Sequence, residues 1–222
     1  MLLEVCANSL ESVLAAQAGG AQRIELCHDL SVGGLTPSLK TLEEVRAQID
    51  IPVYVLIRCR AGNFCYSKEE LLLMETQIKQ VAALQFPGVV FGCLDAHQKI
   101  DHDATLKLME AAGYMDVTFH KAFDEVADPF EALDALRDLG VQRILTSGGK
   151  RTAIEGREVL ADLVDEAGDE VVIMPGGSIR PENLPLLLET GATEFHSSCI
   201  ISGQSRTDEK TVRNMVAMLG EH

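Results

Sequence analysis

The sequence is short of the features that mark several large classes of protein. Lysine and arginine together number 19 against 34 aspartates and glutamates, a formal net charge of −15 over 222 residues. Because binding to a nucleic-acid backbone needs clustered cations, this shortage argues against nucleic acid as a partner. No apolar run approaches the roughly 18 to 20 residues of a membrane-spanning helix, and no basic segment with an apolar run opens the chain. We therefore expect no membrane partner and a cytoplasmic location.

The cysteine spacing also lacks the patterns of disulfide-rich proteins and zinc fingers, because the six cysteines are scattered and include no CxxC pair. A chain of this length needs no disulfide staples, so we expect reduced thiols. What is present is an ordinary globular composition, with 46% hydrophobic and 24% charged residues. Because α/β barrels often have this length as one unit, we expect a single domain over residues 1–222.

Two near-identical tripeptides are the most informative feature of the chain. Residues 4–6 (Glu-Val-Cys) and 25–27 (Glu-Leu-Cys) each end a short apolar run, and a helix-like stretch separates them. On a strand, a spacing of two residues places the carboxylate and the thiol on one face. Two strands joined by a helical crossover lie parallel in one sheet. Ionisable groups are costly in a core unless they are paired or used, so this pattern indicates a site.

The rest of the chain repeats the same alternation of strand and helix. The predicted strands are Leu2–Ala7, Arg23–Cys27, Val53–Ile57, Gly88–Leu94, Asp116–His120, Arg143–Thr146, Val171–Pro175 and Glu194–Ser197. Amphipathic segments lie between them, including Lys68–Leu84, Asp101–Ala112, Pro129–Leu139 and Arg180–Thr190. Eight short buried strands alternating with helices predict an α/β fold of the (β/α)8 TIM-like barrel type, with an open doubly wound sheet as the main alternative.

Polar residues gather where these strands end, which is the side of a barrel that carries the chemistry. The candidate catalytic residues are Glu25, Asp95, His120 and Glu194. Any single pair among such residues is more simply explained as a structural ion pair. The gathering of so many charged residues at the ends of several strands favours a functional pocket.

Glycine-rich turns follow the sixth and seventh strands, where backbone amides can bind anions. Tight-turn geometry alone would also select glycine there. The candidate anion-binding residues are Arg58, Arg60, Ser147, Gly148, Gly176 and Gly177.

Cys6 and Cys27 are the strongest candidates for metal ligands because they lie on neighbouring strands. Soft thiolates select Cu(I) or zinc, and two thiolates alone suit Cu(I) better than structural zinc, which takes four ligands. The alternative is that both cysteines are small buried hydrophobic residues.

Six ordered motifs together resemble the CutC family over essentially the whole chain. They are Glu-Leu-Cys (25–27), Gly-Gly-Leu-Thr-Pro-Ser (33–38), Ile-Arg-Cys-Arg-Ala-Gly-Asn-Phe-Cys-Tyr-Ser (57–67), Thr-Phe-His-Lys-Ala-Phe-Asp (118–124), Leu-Thr-Ser-Gly (145–148) and Glu-Phe-His-Ser-Ser (194–198). Members of this family are known as copper homeostasis proteins. The resemblance implies a TIM-like barrel, a cytoplasmic location, a homodimer or homotetramer, and Cu(I) binding at Cys6 and Cys27.

The chain departs from the family pattern at two motifs. Arg58-Cys59-Arg60 stands where the family usually has Arg-Pro-Arg, and His120-Lys121 stands where it has His-Arg. The first change adds a thiol near the barrel mouth, while the second keeps the charge and loses the planar fork of arginine.

Two functions therefore stay open at the level of sequence. One is a copper homeostasis protein that binds Cu(I) through Cys6 and Cys27. The other is an enzyme acting on a small anionic or phosphorylated molecule, with His120 as acid or base, Glu25 or Asp95 as its partner, and arginines holding the anion.

Overall fold

A computed structural model describes residues 1–220 of the chain, and over this range eight strands alternate with eight α-helices. The strands are β1 (Leu2–Ala7), β2 (Arg23–Leu26), β3 (Val53–Leu56), β4 (Gly88–Phe91), β5 (Asp116–Phe119), β6 (Arg143–Thr146), β7 (Val172–Pro175) and β8 (Glu194–Ser197). The helices are α1 (Leu10–Ala18), α2 (Leu39–Arg46), α3 (Lys68–Ala83), α4 (His102–Ala112), α5 (Pro129–Leu139), α6 (Arg157–Ala167), α7 (Leu184–Leu188) and α8 (Glu209–Gly220).

The strands form one parallel sheet in the order β7-β6-β5-β4-β3-β2-β1-β8. The two end strands meet through a parallel bridge between Gly176 and His196, which closes the sheet on itself. The predicted (β/α)8 barrel is therefore confirmed. Sequential strands are neighbours throughout, without the reversal of strand order that an open doubly wound sheet contains.

The pleat divides each strand between two environments. On β1, Leu3, Val5 and Ala7 belong to the large core that packs against the helices. Cys6 lies instead in a small cluster inside the barrel, which comprises Cys6, Cys27, Tyr54, Leu56 and Val90. This division follows from the period of two along a strand, and it places both thiols on the inner face as their spacing predicts.

Charged side chains fill the lower part of the barrel interior, and we call Glu4, Arg23, Arg143 and Glu194 the interior ion column. Arg23 pairs with both Glu4 and Glu194, and Arg143 pairs with Glu194. Both guanidinium groups lie over the ring of Tyr54, at 5.0 and 5.5 Å from its centroid. Because each buried charge faces an opposite charge, the column satisfies the usual condition for burying ions.

Several elements are shorter than the sequence predicts. The segment predicted as Arg180–Thr190 becomes helical only at Leu184, because Asn183 Oδ1 accepts the backbone N–H of Arg180 at 2.8 Å and forms a turn first. The strand predicted as Gly88–Leu94 ends at Phe91, and Gly92 then lies against the ring of His120. These shorter elements leave more of the chain in the loops at the carboxyl ends of the strands.

The loop between β3 and α3 is anchored at the point where α3 begins. Ser67 and Glu70 form a capping box at the first turn of α3, and Glu70 also pairs with Arg60. Within residues 1–220, no helix has the length and apolar character needed to cross a membrane.

Candidate functional site

A cavity of about 640 Å³ opens at the carboxyl ends of the strands. Its walls come from strand ends and βα loops on most sides of the barrel, which is where barrels of this type carry their sites. We refer to it as the mouth cavity. Its floor, its wall and its rim have different chemistry.

Three side chains from neighbouring strands β1, β2 and β8 form the floor: Cys6, Glu25 and His196. One ligand atom from each, a sulfur, a carboxylate oxygen and a ring nitrogen, lies within 4.8 Å of the other two. His196 Nε2 is 3.6 Å from Glu25 Oε2, and its Nδ1 is 2.8 Å from Glu4 Oε1. Cys27 lies beside this floor, with its Sγ 3.7 Å from the Sγ of Cys6.

The floor residues perturb one another's protonation. Burial alone would raise the pKa of Glu4, but its ion pairs with Arg23 and His196 outweigh burial and hold the pKa at about 2. Glu4 is therefore ionised at neutral pH, and His196 Nδ1 donates to it. Burial raises the pKa of Glu25, whereas the two facing carboxylates overcome burial and raise the pKa of His196. The pKa values of Glu25 and His196 are therefore both raised, and the two groups interact directly on the floor.

The Cys6 thiol keeps its proton at neutral pH. A hydrogen bond with Cys27, then burial, then the charge of Glu25 raise the pKa of Cys6 well above the ordinary value for a thiol. A metal ion that binds here must therefore displace that proton.

His120 forms part of the wall as a neutral ring. Burial and the charge of Arg58 lower its pKa to about 3. Its Nδ1 accepts the backbone N–H of Ala122 at 3.2 Å, so the ring carries its proton on Nε2. That Nε2 is buried and has no hydrogen-bond partner within residues 1–220. The ring packs against Phe64, with centroids 4.8 Å apart, which fixes its orientation. The Nε2–H group of His120 is therefore available to donate a hydrogen bond to a ligand.

Basic side chains gather at the rim, although the chain as a whole carries a net charge of −15. The basic residues that line the cavity are Arg58, Lys121, Lys150, Arg151 and Arg180. The acidic ones are Glu25, Asp124 and Glu125. The cations outnumber the carboxylates here, so the mouth is a local exception to the acidic surface and suits an anionic ligand.

Arg58 has a structural task as well as a place in the lining. Its guanidinium donates to the backbone oxygens of Val32, Gly34 and Gly62 at 2.7, 3.0 and 3.0 Å. These bonds tie the loops after β2 and β3 together at the mouth.

The glycine-rich turn after β6 binds a carboxylate of the protein itself, that of Asp124. This carboxylate accepts hydrogen bonds from the backbone N–H groups of Ser147 and Gly149, at 2.8 and 3.0 Å, and from the hydroxyl groups of Thr146 and Ser147. Lys121 pairs with the same carboxylate at 2.7 Å. The turn containing Ser147 and Gly148 therefore serves an internal carboxylate.

Of the site residues predicted from the sequence, a subset lines the mouth cavity: Cys6, Glu25, Arg58, His120 and Gly177. Cys27 lies directly behind Cys6. Gly176 bridges to His196 at the β7–β8 closure, and on its other side its N–H donates to Thr146 O of β6 at 2.9 Å.

Three predicted residues lie away from the cavity. Asp95 accepts the backbone N–H groups of His97 and Lys99 in its own exposed turn. Arg60 is held by Glu70 and by loop carbonyls, and Glu194 lies lower in the barrel with Arg23 and Arg143. The structure brings none of these three together with His120.

The candidate site residues predicted from the sequence do not include His196, Lys150, Arg151 or Arg180. His196 follows Glu194 by two residues on the same strand face, so the period of two did carry a signal for it. It lies one pleat nearer the mouth than Glu194. Lys150, Arg151 and Arg180 lie in loops, where no periodicity indicates which way a side chain points.

Comparison with known proteins gives consistent results over nearly the whole chain. A family model described as the CutC family matches residues 1–201. A family protein CutC from Xanthomonas axonopodis pv. citri is 44% identical over 218 residues, covering 97% of this chain and 91% of that protein. The human copper homeostasis protein cutC homolog is 46% identical over 198 residues, covering 89% of this chain and 72% of that protein.

A solved structure agrees with these sequence matches. The crystal structure of the CutC protein from Streptococcus agalactiae superposes with a TM-score of 0.85 at 34% identity, covering 89% of this chain and 98% of that one.

Proposed function

The chain belongs to the CutC family, and on that premise we propose that it is a copper homeostasis protein that binds Cu(I) through Cys6 and Cys27. The observation that carries the proposal is the 3.7 Å separation of the two sulfur atoms inside the barrel. Two thiolates this close can share one soft ion. Relatives carry the name copper homeostasis protein, which supports copper as the cargo.

The strand register favours an ion between the sulfurs over a disulfide. Cys6 is the direct neighbour of Glu25 across β1 and β2, so Cys27 is offset from it by two residues. Such diagonal neighbours have Cα atoms about 7 to 8 Å apart, beyond the usual span of a disulfide. A bridging ion requires less movement of the strands than a sulfur–sulfur bond.

Titration of Cu(I) against a competing chelator tests this proposal. We expect Cys6→Ser and Cys27→Ser each to lower the Cu(I) affinity at least about a hundredfold, because one remaining thiolate is a poor site for Cu(I). The matched control is Cys65→Ser, since Cys65 is an exposed free thiol whereas Cys6 and Cys27 are buried. Unchanged affinity in Cys27→Ser, or an equal loss in Cys65→Ser, would exclude the paired-thiolate site.

A second candidate function is supported by the basic rim of the mouth cavity. We propose, as an alternative, an enzyme that acts on a small anionic or phosphorylated molecule. The rim cations would hold the anion, with Gly177 at the edge of the cavity. Glu25 and His196 would serve acid–base chemistry, and His120 would donate from Nε2 to a ligand oxygen. In this arrangement the partner of Glu25 is His196, at 3.6 Å.

Thermal unfolding in phosphate tests the anion site. At ten times its dissociation constant, phosphate would stabilise the folded protein by about 1.4 kcal/mol, or about 3 to 6 °C. The double variant Lys150→Met, Arg151→Met should lose most of this shift, while Arg213→Met on the outer helix α8 should keep it. No phosphate-dependent shift relative to chloride at matched ionic strength would argue against the second function.

Location and assembly are part of the first proposal. We infer a cytoplasmic protein with one domain over residues 1–222 that forms a homodimer or homotetramer. Sedimentation velocity would give two or four times the chain mass of 24.1 kDa, and a 24.1 kDa species at micromolar concentration would contradict the assembly.

A further inference from the structure

We propose that Cys6, Glu25 and His196 form a second metal site that binds Zn²⁺ with three protein ligands and leaves one position open to the mouth cavity. This site goes beyond the Cu(I) proposal, with which it shares only Cys6. The thiol pair lies across β1 and β2, whereas this cluster also reaches β8 through His196.

The positions of the ligand atoms suit an ion of this size. The three atoms lie within 4.8 Å of one another, and His196 Nε2 is 3.6 Å from Glu25 Oε2. Zinc bonds of about 2.0 to 2.3 Å place neighbouring tetrahedral ligands about 3.3 to 3.8 Å apart. The pair of His196 and Glu25 already meets that spacing, and the sulfur, which lies within 4.8 Å of both, would have to come up to about 1 Å closer.

The surroundings of His196 give an independent indication of a metal site. Its Nδ1 faces Glu4 Oε1 at 2.8 Å, and Glu4 is itself held by Arg23. A carboxylate on the far nitrogen is the usual partner of a metal-bound histidine, because it fixes the tautomer and directs the other nitrogen at the metal. Here the nitrogen left over is Nε2, the one that faces Glu25 and Cys6.

The chemistry of the three ligands selects the ion. A thiolate, an imidazole and a carboxylate together match borderline Zn²⁺, whereas Mg²⁺ and Ca²⁺ take oxygen ligands and Cu(I) prefers thiolates alone. Three protein ligands with a fourth position open is the pattern of catalytic zinc, and four protein ligands is that of structural zinc.

The open position has a suitable environment. Cys6, Glu25 and His196 all line the mouth cavity, whose rim carries Arg151 and Arg180. A water molecule or an oxygen of an anionic ligand would complete the coordination shell. Bound Zn²⁺ would supply a Lewis acid at the cavity floor.

Zinc binding by calorimetry, with Co²⁺ absorption as a spectroscopic probe, tests the site on the full chain. The wild-type protein should bind one Zn²⁺, and Co²⁺ should give a thiolate-to-cobalt charge-transfer band. Glu25→Gln and His196→Gln should each weaken Zn²⁺ binding at least about a hundredfold, as expected for the loss of a ligand. Cys27→Ser should change the Zn²⁺ affinity less than about threefold.

The same variants separate this site from the Cu(I) site. Cys27→Ser should lose Cu(I) and keep Zn²⁺, while Glu25→Gln should lose Zn²⁺ and keep Cu(I). His196→Gln leaves Glu4 with one partner fewer, so Glu25→Gln serves as the variant whose fold is least disturbed, with circular dichroism as the check. Failure of wild-type protein to bind Cu(I) would leave the zinc result intact.

Three results would overturn the zinc site. The first is a wild-type protein that does not saturate with Zn²⁺ at a one-to-one ratio. The second is unchanged affinity in a folded Glu25→Gln protein. The third is an equal loss of Zn²⁺ and Cu(I) in Cys27→Ser, because that result would assign both ions to the thiol pair.

Discussion

At the scale of single residues, the charged side chains inside the barrel form ion pairs with one another. Glu4 is the clearest case, because it contacts Arg23 with one oxygen and His196 with the other. Its position on the same strand face as Cys6 followed from the spacing of the Glu-Val-Cys tripeptide, whereas its partners did not. The tripeptide spacing also predicted the inner-face positions of Cys6 and Cys27, because a period of two needs no knowledge of loops.

Other residues could not be placed in the same way. Glu194 faces the barrel interior as predicted, but it lies further from the mouth, beside Arg143. Strand periodicity predicts which face a side chain is on, and it does not predict how far that side chain lies from the end of the barrel. Arg60 and Asp95 follow the strand ends in sequence, yet local bonds with Glu70 and with the turn at residues 95–99 direct them elsewhere. Hydrogen bonds of this kind within loops cannot be predicted from the pattern of hydrophobic residues.

Glu4→Gln should destabilise the protein in a pH-dependent way. The pKa of Glu4 falls from its ordinary value of 4.5 to about 2 in the folded state, so its stabilisation is present above pH 4.5 and is lost as the pH falls toward 2. At pH 7 we expect a loss of about 3 kcal/mol in the free energy of unfolding, as for a broken buried ion pair. Urea unfolding at pH 7 and pH 3 should give a smaller difference between variant and wild type at pH 3. An equal difference at both values would contradict the ionised state of Glu4, and Glu131→Gln at an exposed pair is the control.

His120→Ala should leave stability nearly unchanged. The substitution removes ring packing and a bond to Ala122, and it also removes a buried donor that has no partner within residues 1–220. Each effect is about 1 to 3 kcal/mol, and the two have opposite signs. Chemical denaturation measures the balance, and Phe119→Ala, which truncates a fully buried core ring, should lose about 3 to 5 kcal/mol. A loss above about 3 kcal/mol in His120→Ala would assign this histidine a structural role.

At the scale of elements, the site depends on where strands end and which side chains the barrel can fit inside. The eight strands were predictable because each is a short apolar run between turn residues. Their ends were less predictable, since the predicted β4 includes residues that turn away at Gly92. Helix α7 is short because the turn at Arg180 to Asn183 replaces its first residues.

Gly88→Ala tests how tightly the barrel interior is packed at the strands. An added Cβ at Gly88 would lie 2.6 to 2.7 Å from the ring atoms of Tyr54, which is fixed by Asp116 and two arginines. Because the ring cannot move aside, we expect a loss of about 1 to 3 kcal/mol. Thermal unfolding measures it, with Gly220→Ala as control, since among residues 1–220 nothing lies within 4 Å of a Cβ there. A neutral result at Gly88 would mean that the column around Tyr54 is looser than these contacts imply.

At the scale of the whole molecule, the distribution of charge matters more than its sum. The chain carries a formal charge of −15, yet its mouth cavity has a basic rim over a floor with a thiol, a carboxylate and an imidazole. The net charge could be read from composition, and the barrel could be predicted from alternating elements. The contrast between rim and surface could not, because it arises from loops that only the folded barrel brings together.

Copper K-edge X-ray absorption of protein loaded with one equivalent of Cu(I) tests whether Cys6 and Cys27 bind one ion between them. We expect a copper shell made of two sulfur atoms in the wild-type protein, because the two sulfurs already lie 3.7 Å apart. Cys65→Ser should give the same spectrum. A shell dominated by nitrogen or oxygen, or an unchanged sulfur shell in Cys27→Ser, would exclude Cu(I) binding by the thiol pair.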